Sequence, residues 1–148
     1  MNTHPYLRAY LAGVFIPTLI LPLLLTAFIV VRFAMQAPFP FERGLVFPLA
    51  LVPALWGLWN VLWLGTHERL HQPLGLHGAL LPLLLMPAGA TVASCLGILS
   101  LGATSVIWFN EISIPYAWIA LCFTGALVAY YLVWKYVVAF LNRVMGIA

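Results

Sequence analysis

The sequence predicts an all-α integral membrane protein, a four-helix bundle with proline-kinked helices 1–3. Three observations carry this reading. Hydrophobic residues fill 65% of the 148 positions and charged residues 6%, against about 25% charged in ordinary soluble domains. The mean hydropathy is +1.09. The few charges stand at the ends of long uncharged runs. The same composition excludes a disordered chain, which combines low hydrophobicity with high net charge. Six Lys and Arg are too few for the basic stripe of a nucleic-acid binder, so no nucleic acid is expected as a partner.

The first helix is placed at about 9–32. Arg8 and Arg32 bracket Ala9 to Val31, 23 residues without a charge. A helix of that length measures about 34 Å and crosses a hydrocarbon core of about 30 Å with some tilt. The run exceeds the roughly 7–15 apolar residues of a signal peptide, and no cleavage pattern follows it, so it reads as an uncleaved helix. The second helix, about 44–65, lies between Arg43 and Glu68. The third, about 76–101, is taken from the longer uncharged window Leu70 to Asn110. Its start, with His71, Gln72, Pro73 and Gly75, reads as loop, and its end at Trp108-Phe109-Asn110 as an interfacial segment. Its middle lacks the polar turn that two short spans would need. The fourth, about 115–136, follows from the uncharged run Ile112 to Trp134, with Pro115 at a helix start where proline is tolerated. Continuous apolar runs are the mark of helices; a barrel would show alternating segments of about ten residues. Residues 1–148 therefore read as a single domain of four transmembrane helices, with no room for an extramembrane domain.

Four spans put both termini on one side. That side carries Arg8, Arg69, Lys135 and Arg143, and the other carries Arg32 and Arg43. Lys and Arg accumulate in cytoplasmic loops. The expected location is a bacterial plasma (inner) membrane with both termini cytoplasmic. Tyr6, Tyr10, Trp63, Trp134 and Tyr136 at one level, and Trp108, Phe109, Tyr116 and Trp118 at the other, fit interfacial aromatic belts.

Prolines recur in pairs five residues apart: Pro17 and Pro22, Pro48 and Pro53, Pro82 and Pro87. Each removes a backbone donor and frees a carbonyl one turn earlier, so helices 1–3 should bend there. Hinged helices around a cavity are one reading. Plain shaping of the bundle is the other, and it is preferred because no charged group sits at the bends. Thr18, Thr26, Asn60, the indoles, Thr91 and Ser94 are the expected partners of the freed carbonyls.

Three clusters are candidate sites. His67 and His71 share a helix face at a spacing of four, and His77 is a third metal ligand in reach; the competing reading is a solvated loop. Trp56, Trp59 and Trp63 form one stripe with Asn60 among them, either a ligand pocket or packing against a neighbouring helix. Gly89, Ala93 and Gly97 have the four-residue spacing of a close helix contact, within the chain or across a homodimer. Cys95 and Cys122, without a CxxC motif, read as free packing cysteines.

No predicted span contains Asp or Glu, and no nucleophile–base pair, phosphate loop or carboxylate pair is visible. The expected function is that of a multi-pass membrane protein without a catalytic apparatus, acting through helix–helix, lipid or membrane-complex contacts. The lipid bilayer, a second copy and a larger membrane complex are the expected partners. The alternatives are a small oligomeric transporter or channel for an apolar or neutral solute, and a membrane enzyme or haem protein using His67, His71 and His77. No cofactor is evident, a metal or haem at that cluster being the exception.

Overall fold

The computed structural model describes residues 4–36 and 47–147. Four helical stretches in it are long and apolar enough to cross a membrane: Pro5–Ala34, Pro48–Leu70, Leu74–Cys95 and Tyr116–Val144. The expected start of the second helix, at 44–46, lies outside the described residues.

Helix α1 (Pro5–Ile29) begins with proline in its first turn and runs into a π-helical turn, Val30–Ala34. A four-residue turn, α2 (Phe47–Ala50), precedes α3 (Val52–Leu70). The interruption at Leu51 has a local cause: Pro53 cannot donate to the carbonyl of Leu49, and Leu51 N–H bonds the nearer Pro48 O at 3.2 Å. Helix α4 (Leu74–Cys95) follows a connection of three residues. Helix α5 (Tyr116–Leu132) continues through a π-helical turn, Val133–Val138, into α6 (Ala139–Val144).

The second and fourth helices outrun their expected ends. The second helix runs to Leu70 and the fourth to Val144, both past the charges taken as their ends. A charge marks where an apolar stretch meets water, but the backbone ladder continues beyond it. The connection expected between 65 and 76 shrinks accordingly to His71, Gln72 and Pro73.

The all-α reading is also corrected. The third helix stops at Cys95, not at 101. Gly97 takes a left-handed conformation (φ 69°), open to glycine without steric cost. Gly97 N–H bonds Ser94 O at 3.1 Å and Ile98 N–H bonds Ala93 O at 2.9 Å, the two-bond pattern that closes a helix. An antiparallel three-stranded sheet follows: β1 (Leu99–Leu101), β2 (Ser105–Trp108) and β3 (Ile112–Pro115), in the order β1-β2-β3. Leu99 pairs with Trp108, and Trp108 with Ile112. Phe109 and Asn110, both with positive φ, turn the second hairpin, and Glu111 N–H closes it on Trp108 O.

Helix α1 packs along α3, and α4 along α5. The two pairs meet at the end that carries the chain termini. Ala9, Ala12, Trp56, Trp63, Leu81, Trp134 and Val138 are buried there, together with Asn60, His77 and Asn142. Towards the sheet the burial fades: α1 buries nothing beyond Pro17, α4 nothing beyond Pro82, and α5 nothing at all.

Glycines set the closest approaches. A Cβ on Gly13 would lie 2.6 Å from Trp56 O, and one on Gly57 would lie 2.6 Å from the Tyr10 ring. Gly75 faces Tyr131, and Gly78 lies directly against Trp134. Gly89 and Gly125, by contrast, face open space. Gly89→Ala should therefore stabilise α4 by about 0.5–1 kcal/mol through helix propensity alone. A loss of thermal stability in detergent would contradict this placement of Gly89.

Candidate functional site

The terminus-side end of the bundle is sealed by polar pairs. Asn60 and Asn142 are fully buried and exchange amide hydrogen bonds: Asn60 Nδ2 donates to Asn142 Oδ1 at 2.8 Å, and Asn142 Nδ2 to Asn60 Oδ1 at 3.2 Å. Asn60 Nδ2 also donates to Ala9 O at 2.7 Å. One amide pair thus ties α1, α3 and α6 at a single point. Arg8 Nη1 donates to Met145 O at 3.2 Å, holding the first and last helices together.

A second reciprocal pair ties α3 to α4. Trp59 Nε1 donates to His77 O at 2.8 Å, and His77 Nε2 lies 2.9 Å from Trp59 O. A carbonyl oxygen only accepts, so His77 carries its proton on Nε2. The two rings stack at 4.6 Å with 23° between their planes. Trp134 closes the cluster, 6.0 Å from His77 and 5.5 Å from Trp56. Its buried indole N–H has no partner among the described residues, a condition shared by Trp108.

Next to this seal lies an apolar groove of about 280 Å³ between α1, α3 and α5. Pro17 and Ile20 form one wall, Val52, Pro53 and Trp56 a second, and Ala129 and Tyr130 a third. Ile20 and Ala129 are among its exposed lining residues. Trp56 and Tyr130 stand 5.0 Å apart. Trp56 Nε1 donates to the Tyr130 hydroxyl at 3.3 Å. The Tyr130 hydroxyl thus accepts, and among the described residues it passes its own proton to no protein group.

The expected sites fare unequally. The Trp56, Trp59, Asn60, Trp63 stripe faces the other helices along its whole length, with Trp63 Nε1 3.4 Å from Gln72 O. Trp56 alone of these lines the groove. His67, His71 and His77 are not brought together. His67 Nδ1 meets Leu64 O at 2.9 Å and its ring stacks on Trp63. His71 is exposed at the left-handed end of α3, and His77 is buried on α4. Among the described residues no three His, Cys, Asp or Glu converge as a metal site requires. The Gly89, Ala93, Gly97 row is broken because Gly97 lies beyond the helix. Cys95 and Cys122 are free and exposed, so packing is not their role within the chain.

The hydroxyls also differ from expectation. Thr18 donates to Val14 O, Thr26 to Pro22 O and Thr91 to Pro87 O, each four residues back. The carbonyls that Pro17 and Pro22 free belong to Gly13 and Thr18. Local geometry within one helix wins over the search for a freed acceptor.

Sequence reasoning missed Tyr130, Asn142, Gly57 and Gly78. Asn142 carried a readable signal, as an amide at the end of the apolar run Val137 to Leu141, next to Arg143. Tyr130 carried none, since Tyr116, Tyr131 and Tyr136 stand on the same helical stretch. No family model, curated protein or solved structure matches this chain.

Proposed function

We propose that this chain is an integral membrane protein that acts through contacts, taking a molecule of the lipid phase into the groove between α1, α3 and α5. The observation that carries the reading is the contrast between the two halves of the bundle. One half is closed by buried amide and His–Trp pairs. The other leaves an apolar groove open on one side, halfway along α1. A water-filled path would need a polar lining; this lining is aliphatic except for Trp56 and Tyr130. An apolar groove beside lipid is filled from the lipid.

In this reading the sheet lies at the membrane surface. Among the described residues, strands β1 and β3 each have one unpaired edge, and open edges are not tolerated in hydrocarbon. The termini face the cytoplasm of a bacterial cell, as the four-to-two distribution of Lys and Arg favours.

Two measurements test the reading. Native mass spectrometry of protein extracted in mild detergent should find bound lipid-phase molecules on the wild type and fewer on Ala129→Phe, whose added ring fills the groove. Equal occupancy would count against the groove. For topology, Gln72→Cys in a background lacking Cys95 and Cys122 should label only from the cytoplasm, and Asn110→Cys only from outside. The reverse pattern would invert the orientation.

A further inference from the structure

We propose that the groove takes a neutral isoprenoid lipid with a ring carbonyl, a molecule of the prenylquinone class, and that Tyr130 donates its hydroxyl proton to that carbonyl. This rests on the groove reading above and names its ligand.

Two properties of the groove select the chemistry. The first is depth. On α1 the lining runs from Ile16 to Leu24, centred on the uncharged window Ala9 to Val31. On α3, Trp56 lies twelve residues before Glu68, about 18 Å along a helix. On these two walls the groove thus lies within a hydrocarbon core of about 30 Å; on α5, Tyr130 lies five residues, about 8 Å, before Lys135. A phospholipid keeps its phosphate and ester carbonyls at the edges of that core, so only its tails reach this level. The second property is a donor left over in the lining. Tyr130 accepts from Trp56, and among the described residues its own proton has no acceptor, so it is available to a ligand. In a medium without water, a hydroxyl proton facing an alkyl tail stays unmet, at a cost that a carbonyl removes.

The ligand must then carry an acceptor on a body apolar enough to dissolve in the bilayer interior. A ring carbonyl on a prenyl tail meets both demands. The indole of Trp56 and the ring of Tyr130, 5.0 Å apart and tilted by 59°, offer flat apolar faces to a planar ring. At about 280 Å³ the groove falls just under the range of drug-sized sites, about 300–1,000 Å³. It holds the ring and the first part of the tail, and the remainder lies in lipid along the open side.

The test uses the full chain in detergent micelles and two probes: a benzoquinone with a decyl tail, and decylbenzene, which has the same tail and a ring without carbonyls. Binding of both probes is read by the ligand-induced rise in melting temperature as a function of probe concentration. The quinone should bind the wild type about two- to tenfold more tightly than decylbenzene, the span of one neutral hydrogen bond. Tyr130→Phe should erase that preference and leave decylbenzene unchanged. Ala129→Phe should abolish binding of both. Equal affinity for the two probes on the wild type would overturn the carbonyl assignment without any variant having to fold. An undiminished quinone preference in Tyr130→Phe would overturn the role of that hydroxyl. Either result leaves the groove itself standing if Ala129→Phe still blocks both probes. Binding of both that is indifferent to Ala129→Phe, or binding of neither, would overturn the groove reading and this one together.

Discussion

Gly78→Ala is expected to destabilise the bundle by about 1–3 kcal/mol or more, measured as a lower melting temperature in detergent and earlier unfolding in a denaturing surfactant. The new methyl would collide with Trp134, whose Cβ, Cγ and Cδ1 are the nearest atoms to that point. Trp134 has nowhere to go. It is fully buried, wedged between Trp56 and His77. Moving it would disturb the hydrogen-bonded pair of Trp59 and His77 as well. Helix propensity works the other way, favouring Ala over Gly by about 1 kcal/mol, but it is smaller than the overpacking term. The same substitution at Gly89 meets open space and should show the propensity term alone. A pair of opposite signs identifies the seam; equal effects at Gly78 and Gly89 would refute it.

Asn60→Leu is expected to cost about 1–3 kcal/mol, and the double variant Asn60→Leu with Asn142→Leu less than that. The single change removes the donor to Ala9 O and both bonds to Asn142. It leaves an amide stranded in a fully buried site, which costs about 1–3 kcal/mol. Replacing both amides removes the stranded group and leaves Ala9 O with its helical partner. Polar pairs between membrane helices average only about 0.6 kcal/mol, so the penalty of the single variant measures the orphan more than the bond. A double variant that loses the sum of the two single effects would show that the amides act independently, contrary to their geometry. Unfolding measured for the four members of the cycle decides between these outcomes.

The helices and the sheet show where sequence reasoning reaches and where it stops. The uncharged windows located all four helical stretches, because a predominantly apolar run of more than about 20 residues has few alternatives. They misplaced the ends, because Lys135 and Glu68 interrupt hydropathy without interrupting backbone hydrogen bonds. The sheet was readable in principle: Ile112-Ser113-Ile114 alternates, and Ser105-Val106-Ile107-Trp108 is rich in β-branched residues. Leu99–Leu101 is not separable from the third helix by sequence, because a continuous apolar run carries no period of its own, and the spacing that suggests packing for Gly97 hides that it ends α4.

By itself the sequence determined the number of long apolar helices, their order and the shared side of the two termini. Those follow from local composition, where the free energy of each segment depends on that segment alone. The tertiary structure decided which small residues form seams, which amides meet and where the groove lies. Gly78 and Gly89 sit on one helix eleven residues apart, and only the arrival of Trp134 separates them. Asn60 finds Asn142 across 82 positions, and Tyr130 finds Trp56 across 74. Such pairings depend on how whole helices rotate and tilt against one another, and no window of neighbouring residues encodes that.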